Sequence, residues 1–304
     1  MDSKLRQLKL RDRVVRAMTA DGFFRVAAIK NSTAVRTAQE HHNLSPLNAV
    51  LLGRLMSAAS LMSSFLQGEE RVILEINGAG PLRHLYAEAL QVGEVRGYSA
   101  NPGFMPDVEG ADAHFQLSDA LGIGLLKVTR IVYNQYEPTT GVVELYKGDI
   151  STDIAYYLHL SEQIPSAVVL DVVFDDEGNI KNSGGIIAQA MPGAPLSAIQ
   201  EMHDSLAKLT KISEMIDDGY TPEEMLKIAV PFELIETEKT AVDFFCRCSM
   251  DKFKTSLKNL GADEIRSMQA DGHNELVCKY CGTTYRLTPD DFRQMLTELS
   301  AQHN

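Results

Sequence analysis

Short apolar runs separated by polar turns fill the first two thirds of this chain, the pattern of half-buried strands, and one longer stretch is apolar throughout. Residues 13–18 and 23–31 are β-rich runs on either side of Ala20-Asp21-Gly22, and an Asp-Gly pair tolerates the positive φ of a hairpin turn. Ser32 and Ser45-Pro46 read as N-caps, the second with proline at the first helical position. They predict two helices, the longer reaching about residue 65. That helix is apolar or small on nearly every face, so it is expected to lie buried against a sheet. Further strands are predicted at 71–76, 82–87, 94–98, 125–133 and 141–146, then a helix from a Ser151 cap to about 164. Strands 167–174 and 185–191 close the set, with Asp175-Asp176-Glu177-Gly178 turning between them. Hairpin signals dominate. The expected fold class is α+β, with residues 1–195 forming an N-terminal domain of largely antiparallel sheet and packed helices.

From residue 196 the period changes. Ile199, Met202, Leu206, Leu209, Ile212 and Ile216 form an apolar stripe at helical spacing, ended by Asp217-Asp218-Gly219. Thr221-Pro222-Glu223-Glu224 starts another helix with a cap, an N1 proline and acidic first-turn residues, and Pro231 stops it. Residues 232–243 carry Glu233, Glu236, Glu238 and Asp243 against one lysine, which suits a solvated connection. The span 196–243 is therefore expected to be an acidic helical linker. A small C-terminal domain, 244–304, follows and ends in a helix from the Thr288-Pro289 cap.

Charge sharpens this division. The net charge of the 304-residue chain is −12, which repels phosphate backbones and disfavours nucleic-acid binding. Between Pro195 and Asp243, eleven acids face four lysines, so about a sixth of the chain holds more than half of the net charge. An amphipathic stripe is most often ordinary core. On a self-repelling segment of modest apolar area, it is also expected to undock early. The opening residues mix charges of both signs without an apolar run, and the apolar stretch 49–66 is broken by Arg54 and four serines. Neither a secretory signal nor a membrane span is expected, and the location is expected to be cytoplasmic.

All four cysteines fall within the last 60 residues: Cys246-Arg247-Cys248 and, after 29 residues, Cys278-Lys279-Tyr280-Cys281. C-x-C and C-x-x-C elbows each aim two sulfurs at one ion at about 2.3 Å, and two elbows complete a tetrahedron, so one Zn2+ per chain is expected at Cys246, Cys248, Cys278 and Cys281. Four thiolates leave no open position for water, which argues against a zinc hydrolase. From Phe244 onward eight basic residues balance eight acidic ones, so a nucleic-acid-binding zinc ribbon lacks its basic stripe. A thioredoxin-like pair is disfavoured because the C-x-x-C follows no βαβ pattern. Spacing alone leaves two readings open: an inert structural clip in an interaction module, the commoner fate, and a redox switch whose thiolates an oxidant converts to disulfides. The eight histidines show no H-E-x-x-H, no serine sits in a G-x-S-x-G elbow, and Gly78-Ala79-Gly80 lacks the third glycine of a nucleotide loop. No catalytic residue is assigned and no enzyme activity is expected.

The run 244–249 (Phe-Phe-Cys-Arg-Cys-Ser) with 277–282 (Val-Cys-Lys-Tyr-Cys-Gly) resembles the C-terminal zinc module of the heat shock protein 33 family of redox-regulated chaperones. Ile76-Asn77-Gly78-Ala79-Gly80-Pro81, Gly141-Val142-Val143-Glu144, Leu160-Ser161-Glu162-Gln163-Ile164-Pro165, and Gly184-Gly185 through Ala190-Met191-Pro192 resemble that family's N-terminal domain in matching order. The resemblance implies an ATP-independent holdase that is inactive while reduced and zinc-bound. It implies oxidation of Cys246 with Cys248 and of Cys278 with Cys281, zinc release, and exposure of apolar surface to unfolding or oxidatively damaged client proteins. It also implies a homodimer in the oxidised state.

Overall fold

A computed structural model describes residues 11–107 and 115–302. The charged start at residues 1–10, His114 and His303 lie outside the described residues. The chain forms two compact units, one ending at Phe245 and the other beginning at Cys246.

The first unit is built on two sheets. One has the order β10-β1-β2-β9-β8, with β1 Arg13–Thr19, β2 Phe24–Lys30, β8 Ser166–Phe174, β9 Ile180–Ala190 and β10 Leu234–Ala241, every neighbouring pair antiparallel. The other has the order β11-β5-β4-β3-β6-β7. Its strands are β3 Arg71–Gly78, β4 His84–Leu90, β5 Glu94–Ser99, β6 Gly124–Ile131, β7 Thr139–Glu144 and β11 Asp243–Phe244, and only the β11–β5 pair is parallel. The α+β expectation and its largely antiparallel pairing stand.

Helix α1 (Ser32–His42) precedes α2 (Pro46–Ser63), the apolar helix that the sequence pattern marked for burial. Helix α2 packs against strands of both sheets, which explains why it has no polar face. Leu51, Leu52, Leu55, Met56 and Leu61 are fully buried there with Leu74, Ile76, Leu85 and Ile29 from the surrounding strands. Ser45 caps α2 as its type and place predicted, accepting from the Asn48 N–H at 3.4 Å.

Two other predicted caps are corrected. Ser32 is the first residue of α1 rather than its cap, and the helix N–H groups of Thr33 and Ala34 donate to Asp12 Oδ2 at 2.7 and 3.0 Å. A carboxylate from the residue just before β1 satisfies these donors better than a local hydroxyl, because it also carries the charge the helix dipole favours. Helix α3 runs over Ser151–Leu160 and ends short of 164. Its entry is organised by Asp153, whose oxygens accept from the N–H groups of Tyr146, Lys147, Gly148 and Ile150.

The linker is the largest correction. The stripe forms two helices, α4 (Leu196–Ala207) and α5 (Ile212–Asp217), and Thr221 then caps α6 (Pro222–Ala229) through a reciprocal box with Glu224. Met202, Leu206, Ile212, Met215, Ile216, Met225 and Leu226 are buried against Val15, Ala17, Phe24, Val26, Ile186 and Ala188 on one face of the five-stranded sheet. The ordinary-core reading of the stripe therefore holds in this state. Residues 232–243 are not a solvated connection. Phe232 stacks on Phe24 with ring centroids 5.5 Å apart, and residues 234–241 pair with β1 as an edge strand. A sheet edge supplies backbone partners that a sequence count of acids does not reveal.

Glu223 of α6 fastens the helices to the sheet, receiving Arg13 Nη2 at 2.7 Å and lying 3.1 Å from Lys239 Nζ. Burial alone would raise its carboxyl, but the hydrogen bonds from Arg13, its own backbone N–H and Lys239 outweigh that and hold it at about 2, against an ordinary 4.5. A carboxylate whose folded value lies below its unfolded one adds stability above its ordinary pKa and loses it as pH falls toward the folded value. Glu223→Gln is expected to cost about 1–2 kcal/mol at pH 7 after solvent screening, with the difference from wild type shrinking between about pH 4.5 and 2. Urea midpoints at both ends of that window check it, and equal penalties at both would refute it.

The second unit contains α7 (Met250–Lys258), α8 (Ala262–Ala270), the hairpin β12 (Glu275–Val277) and β13 (Thr284–Arg286), and α9 (Pro289–Gln302). Leu257, Ile265, Leu287, Phe292, Met295 and Leu299 are its buried apolar core. Ion pairs Lys258–Glu298 at 2.7 Å and Lys254–Asp291 tie α7 to α9. No helix among the described residues is long and apolar enough to cross a membrane.

Candidate metal centre

The second elbow is the turn of the β12–β13 hairpin. Cys278 donates its N–H to Thr283 O at 2.9 Å, and its own carbonyl accepts from Cys281 and Gly282 at 3.3 and 2.8 Å. Gly282 has φ +70°, a conformation that glycine adopts without strain, so the chain can reverse while both sulfurs point to one side. The first elbow leads into α7. Ser249 caps that helix by accepting from the Lys252 N–H at 3.3 Å, and Lys252 Nζ donates to Arg247 O at 2.5 Å, which fixes the backbone between the two cysteines.

The elbows meet. Cys246 Sγ lies 3.8 Å from Cys278 Sγ, Cys248 Sγ lies 3.4 Å from Cys281 Sγ, and all four sulfurs lie within 4.8 Å of one another. Sulfurs at about 2.3 Å from a common centre would stand about 3.8 Å apart at the corners of a tetrahedron. The donor set and its spacing thus fit one soft or borderline divalent ion, and four sulfurs complete its shell. Among the described residues this is the group of histidine, cysteine and carboxylate side chains that can hold a metal, and no histidine joins it.

Two side chains that sequence reasoning passed over complete the surroundings. The Tyr285 hydroxyl lies 3.2 Å from both Cys248 Sγ and the Cys248 carbonyl, and its ring packs on Phe253 with centroids 5.3 Å apart. Thr283 Oγ1 lies 3.2 Å from Cys281 Sγ. Both follow the C-x-x-C-G at alternate positions, and reading 284–286 as the return strand of a hairpin would have aimed them at the sulfurs.

Burial opposes ionisation of the sulfurs, most strongly at Cys278. Burial raises the Cys248 thiol and pushes Cys278 up to about 12. Burial works the same way on Cys281, but the hydroxyl and N–H of Thr283 outweigh it and bring that thiol down to about 7. The hydrogen bond to Cys248 pushes the Tyr285 hydroxyl up to about 12, keeping it a donor. A divalent cation at the centre reverses this balance, since every thiolate then faces a larger positive charge.

Comparison with known proteins places these features in a group. The family model described as Hsp33 protein matches residues 12–288. A protein of Synechococcus sp. strain JA-3-3Ab named 33 kDa chaperonin is 39% identical over 298 residues, covering 96% of this chain and 92% of that protein. The 33 kDa chaperonin of Bacillus licheniformis is 33% identical over 291 residues, covering 95% of this chain and 100% of that one. The crystal structure of the Thermotoga maritima 33 kDa chaperonin, an Hsp33 homologue, superposes with a TM-score of 0.86 at 28% identity, covering 96% of this chain and 99% of that one.

Proposed function

This chain belongs to the Hsp33 family of chaperones, and from that membership we propose that it is an ATP-independent holdase that is silent when reduced and switched on by oxidation. The observation that carries the reading is the convergence of four sulfurs from two elbows of a small unit. The residues that would hold zinc are Cys246, Cys248, Cys278 and Cys281. Bound zinc would keep the four sulfurs as thiolates and close a unit whose own apolar core is small.

The switch is a two-electron oxidation at each elbow. One thiolate attacks a peroxide oxygen to give a sulfenic acid and release hydroxide, and the neighbouring thiolate displaces a second hydroxide as the S–S bond forms. Two protons and one peroxide are consumed per elbow, and two waters leave. The pairs that the family resemblance implies are Cys246–Cys248 and Cys278–Cys281, each pair sharing one short loop. A disulfide offers no thiolate donor, so both the metal and the fold of 246–302 are lost together.

Chain continuity carries the change onward, since β10 and β11 run directly into Cys246. The acidic segment 196–243 then undocks and uncovers Val15, Phe24, Val26, Ile186 and Ala188, an apolar sheet face able to hold an unfolded client. Pairing of two copies in the oxidised state belongs to the same reading.

The test treats zinc-loaded full-length protein with peroxide under mildly unfolding conditions, reading zinc with a chromogenic chelator and client aggregation by light scattering. The expected result is zinc release of one ion per chain together with suppression of aggregation, both reversed by thiol reductant. Zinc release with unchanged aggregation would leave only a structural clip.

A further inference from the structure

Arg25 of β2 and Arg130 of β6 face a half-open cavity of about 140 Å³ in the first unit, lined also by Met62, Phe65, Leu66 and Gln189. A single water needs only about 15 Å³ of such space, so a polyatomic ion has room. Arg130 is paired with Glu162 at 2.6 Å, and Glu162 also receives the Tyr157 hydroxyl. Arg25 is different. Its Nε donates to Gln189 Oε1 at 2.7 Å, and its guanidinium carbon stands 4.7 Å from the centroid of the Phe65 ring. Among the described residues it forms no ion pair, and its two terminal nitrogens have no acceptor. Two guanidinium groups and one carboxylate leave one positive charge in excess beside an apolar wall, where charge is weakly screened.

We infer that this cavity is a binding site for a small tetrahedral oxyanion of the inorganic phosphate type, held between the free fork of Arg25 and Arg130. Burial and the neighbouring Arg130 both disfavour the charged form of Arg25, and a bound anion would relieve both costs at once. Guanidinium forks reaching in from two different sheets suit acceptors in more than one plane, which favours phosphate over a flat carboxylate. The chain as a whole carries −12, so any attraction is local and not a property of the overall field. Gln189 and Glu162 lie in the 184–192 and 160–165 motifs, and neither side chain belongs to the metal centre or to the apolar face proposed to hold clients.

The experiment titrates the zinc-loaded full-length protein with inorganic phosphate at constant ionic strength, with acetate as the carboxylate arm and chloride as the control. Phosphate is expected to raise the thermal midpoint of the first unit saturably and to give a saturable heat in calorimetry. Arg25→Gln should weaken that binding about tenfold or more. Arg293→Gln, which removes an equal charge from an exposed site in the second unit, should leave it unchanged. In case Arg25→Gln does not fold, the ¹⁵Nε resonance of Arg25 in the wild-type protein must shift saturably with phosphate. Absence of a saturable response in wild type, an equal response in Arg25→Gln, or tighter binding of acetate than of phosphate would overturn the assignment.

Discussion

Cys278→Ser will leave residues 246–302 unfolded while the first unit keeps its own thermal transition. Cys278 is 3% exposed and its sulfur sits 3.8 Å from Cys246, so its loss removes an interior donor rather than a surface group. A serine hydroxyl stays protonated near neutrality and is a poor partner for zinc. The core that remains, six buried apolar side chains in a unit of about sixty residues, is below what such a chain needs to fold without a staple. Under the proposed function, bound zinc would contribute an apparent stabilisation of about 10–16 kcal/mol, more than those side chains could replace. Amide exchange of the full-length variant reads the result residue by residue: protection should vanish across α7 to α9 and persist in α2. Chelation of the wild-type protein should give the same pattern. Protected amides in residues 250–299 of the variant would show that the cluster is not what holds this unit together.

The second large effect is expected far from any sulfur. Gly93 has φ +92°, and a Cβ placed there would stand 1.8 Å from the carbonyl oxygen of Ala241, closer than any contact can be. Its own carbonyl accepts from Asp243 N–H at 3.0 Å, so this glycine of the β4–β5 loop is the contact against which the chain passes from β10 into β11. Gly93→Ala must move backbone rather than a side-chain tip and adopt a conformation that L-residues avoid, together costing about 3 kcal/mol or more. The loss should be local. Exchange should accelerate in 234–244 while α2 stays protected, because the fully buried helix draws its stability from both sheets. Under the proposed switch, the same variant should suppress client aggregation before any oxidant is added. A variant with wild-type protection in β10 would refute the clash, and one with a loosened β10 but no chaperone activity would refute the link between undocking and client holding.

The two elbows were legible because metal ligation by sulfur imposes short, fixed spacings, and Cys246-Arg247-Cys248 and Cys278-Lys279-Tyr280-Cys281 have no cheaper use for their pattern. Helix α2 was equally legible, since an 18-residue stretch without a polar face has nowhere to go but inside. Caps fared unevenly. Ser45 and Thr221 were read correctly because their partners lie three residues away, whereas the donors of α1 are satisfied by Asp12, about twenty residues upstream. The acidic run 232–243 was misread for the same reason. Its charges line an edge strand, and the strand exists only because β1 offers a ladder more than two hundred residues away.

The α+β class, the buried helix, the four sulfurs and the family were all readable along the chain, since each rests on local spacing or on motifs in order. The docking of the acidic segment, the place of Tyr285 and Thr283 beside the sulfurs, and the cavity shared by Arg25 and Arg130 emerged only once the chain was folded. These depend on side chains brought together from distant strands, and pairing of that kind is set by how the sheets close, which no window of the chain contains.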